Sequence, residues 1–555
     1  MRKLMALLVV LLFLLAACMG PAPIAQPSPN FGAEINLPQP EDVPSEENPI
    51  ITPIVAGYGG HINVGMSLPR TLNPLLNSDP WVDTVLRLIF EPLVVFDADM
   101  RPIPNPAITQ SITFSHDGRS LAVALRDNIF WEDGTAITAR DIAFTIDVLQ
   151  NSAPQTAVYK QNVANIVSHS VIDNRTLQIT LRNPSWATKY MLAFPIISAE
   201  YYRPVSMANL AAARNMHPMG NGSFRFHSLE PADRLELIAN HDAPGGRPYI
   251  DRITAIILRD MDGGQIHAFE QGIIDVLMTS PTDWGRYAAR GKNRVGEISG
   301  GSFSFFGFNF NRTIFADHSL RSAIAHAFDL DTVLRRYYDH IDAAIAPINP
   351  NSWLAADGLT GYYFDTGRAE NLLSQLGFVR GVDGILERRL SETLPALRLS
   401  MSILVNESNE SGMGTANILK DGLLAVGIDA NLAAVPRDVF QARVEAGDFD
   451  IVVGVISLGS GPNMGFLRSN DAQNNIFGYR SEDLALLISM LERAASESAL
   501  GQAAVDIQHY IADNLPIHGI AFCRQTLYVS GHIHTDTNTS ISGMFSNIRD
   551  WFVVN

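Results

Sequence analysis

Cysteine is nearly absent: Cys18 and Cys523 are the only two in 555 residues. Cys18 directly follows an amino-terminal signal and is expected to carry lipid, so a lone thiol remains, which closes no intrachain disulfide and leaves the fold to be held by packing. Cys523 reads as a buried structural thiol rather than a nucleophile. Charge is also scarce, at 17% of residues, and acids outnumber bases 57 to 40 for a formal charge of −17. An acidic surface repels phosphate backbones, which excludes nucleic acid as an expected partner. The short motifs that concentrate catalytic chemistry, G-x-S-x-G, G-x-x-x-x-G-K-[ST], H-E-x-x-H and C-x-x-C, do not occur. The glycines at 459, 461 and 465 miss the G-x-G-x-x-G spacing. The fourteen histidines are scattered without the cysteine or carboxylate spacing of a metal site. No enzyme, metal or cofactor is therefore expected.

What is present begins with Arg2 and Lys3, followed by fourteen apolar or small residues, Leu4 to Ala17. That run is short of the roughly 20 residues that span a bilayer and fits a signal-peptide core. It ends in Leu15-Ala16-Ala17-Cys18, the form of a bacterial lipobox, which makes Cys18 the expected lipidation site; an ordinary secretory signal is the alternative. From Met19 to Ile54 there are nine prolines and no lysine or arginine. Such chain is extended and builds no core, so residues 18–56 read as a tether following a signal at 1–17. The remaining 500 or so residues exceed one usual core and call for at least two domains.

Leu121 to Leu149 is the most informative stretch. Leu121, Val123 and Leu125 alternate with Ala122, Ala124 and Arg126 as in a half-buried strand. Asp133-Gly134 supplies a turn, Thr138 and Asp141 a capping box, and Ile142, Ile146 and Leu149 one apolar helical face. Asp79-Pro80 is a second helix opening, with Val82, Val85, Leu86, Ile89 and Leu93 at helical spacing. The Leu121–Leu149 run resembles the signature of the family 5 extracellular solute-binding proteins, receptors of peptide- and nickel-type ABC importers. Leu72–Asp79, Met219–Phe226, Phe269–Val276, Leu320–Leu334, Ala346–Trp353 and Leu423–Leu432 match the same family in order, and Leu320–Leu334 corresponds to one of its helices, with Leu320, Ala323, Ile324, Ala327 and Phe328 on one face.

The resemblance implies an α/β, two-lobed periplasmic-binding-protein fold of type II, cluster C, with an extra subdomain and a discontinuous first lobe. Lobe I would take about 57–95, 216–303 and 526–555, the extra subdomain 96–215, and lobe II 304–525. Connecting strands would lie near Phe308–Asn311 and Phe522–Gln525. The implied role is a monomeric lipid-anchored receptor on the outer face of a bacterial membrane, at the cell surface or in the periplasm. It would hold a peptide or small solute and deliver it to permease and ATPase subunits. A surface sensor or adhesin binding a protein or signal peptide, a receptor for a non-peptide solute, and a hydrolase remain as alternatives.

Candidate ligand residues are Asn73 and Trp81 by the first cleft loop, Phe308, Asn309 and Asn311 on a connecting strand, and Trp353 in an irregular loop. Gly459, Ser460 and Asn463 follow a strand at Ile451–Ile456. Of the phenylalanines there, Phe303 and Phe305 point to one face and Phe306, Phe308 and Phe310 to the other. In peptide receptors of this family the loop after that strand offers a tryptophan and an aspartate that pairs with the peptide ammonium. Here it reads Ser457-Leu458-Gly459-Ser460-Gly461-Pro462-Asn463-Met464, with neither. Another carboxylate, such as Glu407 or Glu410, must then serve, or the ligand carries no free amino terminus.

Overall fold

The computed structural model describes residues 56–554, apart from 153–157, 206, 260, 262, 280–292, 339, 340, 342, 390, 392–394, 460, 470–474 and 536–542. The signal segment, Cys18, most of the tether and Ser460 lie outside the described residues. In chain order the elements that position the site begin with strand β1 (His61–Met66) and helix α1 (Pro80–Leu86). Four strands follow, β2 (Thr109–Phe114), β3 (Ser120–Leu125), β4 (Ile166–Val171) and β5 (Thr176–Leu181), with helix α2 (Ala139–Asn151) between β3 and β4. Next come β6 (Phe224–Glu230), β7 (Arg234–Ala239), β8 (Arg252–Ile257), β9 (Val276–Thr279) and the long β10 (Arg294–Phe308). The last part holds α3 (His318–His326), α4 (Leu330–Tyr337), β11 (Ser400–Asn406), α5 (Glu410–Ala425), β12 (Asp429–Val435), β13 (Ile451–Ser457), α6 (Glu482–Glu492), α7 (Glu497–Asn514) and β14 (Ile517–Val529).

Local chemistry explains the starts. The Asp79 carboxylate accepts from the Trp81 and Val82 amides and opens α1. The capping box forms as read: Thr138 N–H donates to Asp141, and Asp141 also takes the Ala199 N–H. Gly134 adopts φ +84° in the Asp133-Gly134 turn. The stretch Leu320–Leu334, expected as one helix, is two. Asp329 accepts from the Thr332 amide and hydroxyl and so starts α4 after α3 has ended.

Ten strands form one sheet in the order β12-β11-β13-β10-β14-β9-β1-β8-β7-β6. A separate antiparallel sheet, β2-β3-β5-β4, packs under α2. The antiparallel ladder of β10 and β14 joins the two ends of the large sheet, and its register shifts twice, widely between Ser299 and Phe303 and by a one-residue bulge between Ser304 and Phe305. Ser299 pairs with Arg524, and pairing resumes at Phe303 with Phe522. The seam therefore lies at Gly300–Ser302, not at Phe308–Asn311, because Phe308 already pairs with Ile451 inside the second half. Phe306 and Phe308 enter a core with Phe315, Ile324 and Leu419, while Phe303 and Phe305 enter another with Leu458 and Phe477. The alternation expected along β10 holds.

Arg321 shows how the second half is tied. Its side chain is buried, and its guanidinium donates to the carbonyls of Phe315, Ala316, Asn514 and Leu515. Two of these carbonyls close α7, whose C-terminal partial charge favours a cation. Leu515, at φ +49°, then turns the chain into β14.

His518 on β14 is fully enclosed, stacked on Phe306 with centroids 4.5 Å apart and planes 9° from parallel. Burial pushes its imidazole down to about 4. Between pH 6.5 and 4 the unfolded chain therefore takes up a proton that the folded chain refuses, so stability falls as pH drops through that window. We expect urea midpoints to decline from pH 6.5 to 5 in the wild type and His518→Phe to flatten that decline. An unchanged slope would assign the decline to other groups.

Candidate functional site

At the seam, glycines let backbones approach more closely than any side chain would allow. A Cβ on Gly300 would stand 2.5 Å from the Cys523 carbonyl oxygen, and one on Gly301 would stand 2.6 Å from that of Gly459. The Leu458 amide donates to the Gly301 carbonyl at 2.8 Å, pinning the loop after β13 against the seam. The interrupted ladder leaves a small cavity there, partly open to solvent. Its floor is Gly300, Gly301 and Phe522. One wall is the loop after β13, with Leu458, Gly459, Gly461 and Pro462. The facing wall comes from Pro347, Ile348, Asn349, Ser352 and Leu354, and Met100 enters from the first part of the chain. Met100 sits at φ +60°, a left-handed conformation that costs a residue with a side chain about 1–2 kcal/mol.

The wall around Ser352 is clasped from the other side. Trp353 donates its amide to the Asp99 carbonyl at 2.9 Å and its indole N–H to the Tyr190 hydroxyl at 2.7 Å. Trp186 meets the Trp353 ring edge-on at 5.8 Å and donates its own amide to the Ala494 carbonyl. The Arg101 guanidinium lies 4.3 Å from the centre of the Trp353 ring and is ion-paired with Glu497. Tyr190 in turn stacks on Phe96 and presses on Gly461, where a Cβ would meet it at 3.2 Å. Burial pushes the Tyr190 phenol well above its ordinary value, so it stays protonated. Residues from the segment expected as an extra subdomain thus brace both walls of the cavity.

Of the sequence candidates, Gly459 lines the cavity and Trp353 stands between two residues that do. Asn73 is buried elsewhere, its amide donating to Asn215 and its oxygen accepting from Leu75. Asn309 is likewise spent on backbone, donating to the Gly447 and Phe449 carbonyls. Phe308 is core, Trp81 lies half-buried on α1, and Asn311 and Asn463 are exposed outside the lining. Glu407 and Glu410 are exposed near the start of α5 and do not line the cavity either. Gly300 and Gly301 were not among the named candidates, although paired glycines inside a strand pattern signal a bulge and a close backbone approach. Tyr190 and Ser352 carried no such signal.

No ionisable side chain is among the described residues that line the cavity. Cys523 turns its carbonyl towards Gly300, and burial pushes its thiol up to about 11, which keeps it protonated and unreactive. Among the described residues no three histidines, cysteines or carboxylates are grouped to hold a metal ion.

The model of the bacterial extracellular solute-binding proteins, family 5 (middle), matches residues 104–478. A Brucella ovis protein, provisionally named an ABC transporter peptide-binding protein, is 28% identical over 302 residues, 53% of this chain. That match spans 56% of the Brucella protein, little more than half its length. The oligopeptide-binding protein AppA of Bacillus subtilis is 21% identical over 419 residues, 73% of this chain and 75% of that one. Among solved structures, the ABC transporter substrate-binding protein CtaP of Listeria monocytogenes aligns with TM-score 0.77 over 90% of this chain and all of that one, at 19% identity. NikA of Brucella suis, solved with Fe(III)-EDTA, aligns with TM-score 0.73 over 89% of this chain and all of that one, at 22% identity. The shared architecture is the two-lobed α/β binding-protein fold.

The clasp yields a prediction. Tyr190→Phe removes the acceptor for the Trp353 indole and should cost roughly 1 kcal/mol. Tyr190→Ala also strips the packing on Gly461 and should cost roughly 3 kcal/mol. Urea unfolding measures both, and amide exchange at Asn349–Leu354 should quicken in the same order. Unchanged exchange would mean that Tyr190 does not brace the wall.

Proposed function

This chain belongs to the family 5 bacterial extracellular solute-binding proteins, and we propose that it is the substrate-binding receptor of an ABC importer. It captures a peptide or peptide-like small solute between its two lobes and hands it to the permease. The observation that carries this reading is the cavity's position at the interrupted β10/β14 ladder, with walls supplied by different parts of the chain. Among the described strands β10 and β14 run through that seam, so the halves can move about it and bury a ligand on closing. The names of its relatives point the same way. A hydrolytic reading finds less support: no histidine, carboxylate or thiol is among the described lining residues, and the Ser352 oxygen accepts from the Leu354 amide. The lobe I, subdomain and lobe II assignments of the sequence reading stand as part of this proposal, with the connection moved to Gly300–Ser302.

The test is uptake and retention. Native mass spectrometry of the full chain extracted in mild detergent should find a small solute bound. Cells lacking the gene should fail to take up that solute. A protein that carries no solute, in cells whose uptake is unaltered, would overturn the receptor reading.

The same proposal includes Cys18 as the lipid attachment point. Acyl chains contribute about 0.8 kcal/mol per buried CH₂, enough with two or more chains to hold a soluble domain at a membrane. Cys18→Ala should release the protein on fractionation. Firm membrane association of that variant would sink the anchor.

A further inference from the structure

We propose that the clasp around Trp353 is a latch, which holds the two halves of the chain shut without a solute and parts as one unit about the seam at Gly300–Ser302. Trp353 is its positioning residue. The proposal rests on the receptor reading above, since entry and release of a solute are what a parting latch controls.

The cores show which parts move together. Val123 and Ile142 share one buried cluster with Ile62, Val85, Leu237 and Ile253, so residues 96–215 travel with the first half. The second half has a core of its own, running from Phe306 to Ala521. A third cluster is built from the second half, and among its described buried members only Trp186 and Tyr190 come from before the seam. Tyr190 and Trp353 are 163 residues apart along the chain, so their bond joins the halves through space.

Both sides are shaped before they meet. In the turn Asp97–Arg101 the Asp97 carboxylate accepts the Asp99 and Arg101 amides at 3.0 and 2.8 Å. That turn, with Met100 at φ +60°, brings the Asp99 carbonyl and the Arg101 guanidinium to Trp353. Opposite, Asn349 accepts the Asn351 amide and Ser352 the Leu354 amide, while the Ser496 hydroxyl accepts from Ala499 at the start of α7. None of these bonds crosses the clasp, so each side keeps its form when the two part.

The polar contacts that cross are the Trp353 and Trp186 amides on the Asp99 and Ala494 carbonyls, the indole on Tyr190, and the Arg101–Glu497 pair. Each except the Trp186 bond involves Trp353 or the Arg101 stacked on it. The Arg101 and Glu497 side chains are already 37% and 44% exposed, and water can take up the other crossing groups as they separate. Parting therefore strands no buried donor. Wetting the Trp186 and Tyr190 rings opposes it, so the resting state is shut and opens by a rigid swing, not by local unfolding.

Amide exchange read by mass spectrometry tests this on the full chain, extracted in mild detergent and stripped of any retained solute. Glu497→Arg changes a side chain that bonds neither the Trp353 nor the Trp186 amide. It should quicken exchange at both by one common factor, about fivefold, and leave β3 and β10 unchanged. Adding Arg101→Glu should return both most of the way to the wild-type rate. Trp353→Ala should quicken the Trp186 amide at least about tenfold. Acceleration confined to the substituted side, or an equal acceleration of β3 and β10, overturns the latch: the first means static packing and the second means unfolding. No solute enters the measurement, so its failure leaves the receptor reading to the retained-solute test.

Discussion

The close approach of three backbones at Gly300 and Gly301 is the constraint on which the site depends. Side chains there would collide with the carbonyls of Cys523 and Gly459. Without them, β10 can leave β14 for a few residues and rejoin it, and the loop after β13 can hydrogen-bond into the gap. One local event thus makes the wider of the two irregularities in the joining ladder, and the cavity lies at the same point. A bulge is a low-cost way to combine the two, since it loses few ladder bonds and keeps the sheet continuous.

The clasp sets the opposing force. Its two Trp353 hydrogen bonds contribute about 1 kcal/mol each, its aromatic pairs about 0.5–1.5, and its partly exposed Arg101–Glu497 pair up to about 1. Together these amount to a few kcal/mol, well below the roughly 8 kcal/mol of a micromolar ligand. The contacts also place Tyr190 where it senses both walls, through Trp353 on one and Gly461 on the other.

Much of the scaffold was legible. The Thr138/Asp141 box, the Asp79-Pro80 opening and the alternating phenylalanines of β10 are local patterns, and local physics decides them. The candidate site was legible only in part. Asn73 and Asn309 looked like ligand donors because a polar residue in an apolar stretch needs a partner. Sequence does not say whether that partner is a solute or the protein itself, and here it is the protein: the Asn215 side chain and Leu75 amide for Asn73, and the Gly447 and Phe449 carbonyls for Asn309. The break between α3 and α4 escaped for a related reason. Apolar periodicity runs through Ala327 and Phe328, and only the Asp329 side chain, bonding forward to Thr332, ends it.

Arg321 shows why family and ligand are legible to different degrees. It sits in the stretch Leu320–Leu334, one of those that resemble the family, and its guanidinium holds the end of α7 and the entry to β14. Losing it would strand buried carbonyls, at about 1–3 kcal/mol for each left unsatisfied. The capping box of α2 carries a similar burden, because Asp141 also fixes the Ala199 amide. Such residues make the fold recognisable and touch no ligand. Ser352, Gly459 and Phe522 face the cavity, and changing the ligand would need changes there while the scaffold stayed as it is. Membership therefore follows from the frame, and the solute must be argued from the charge, shape and donors of the cavity itself.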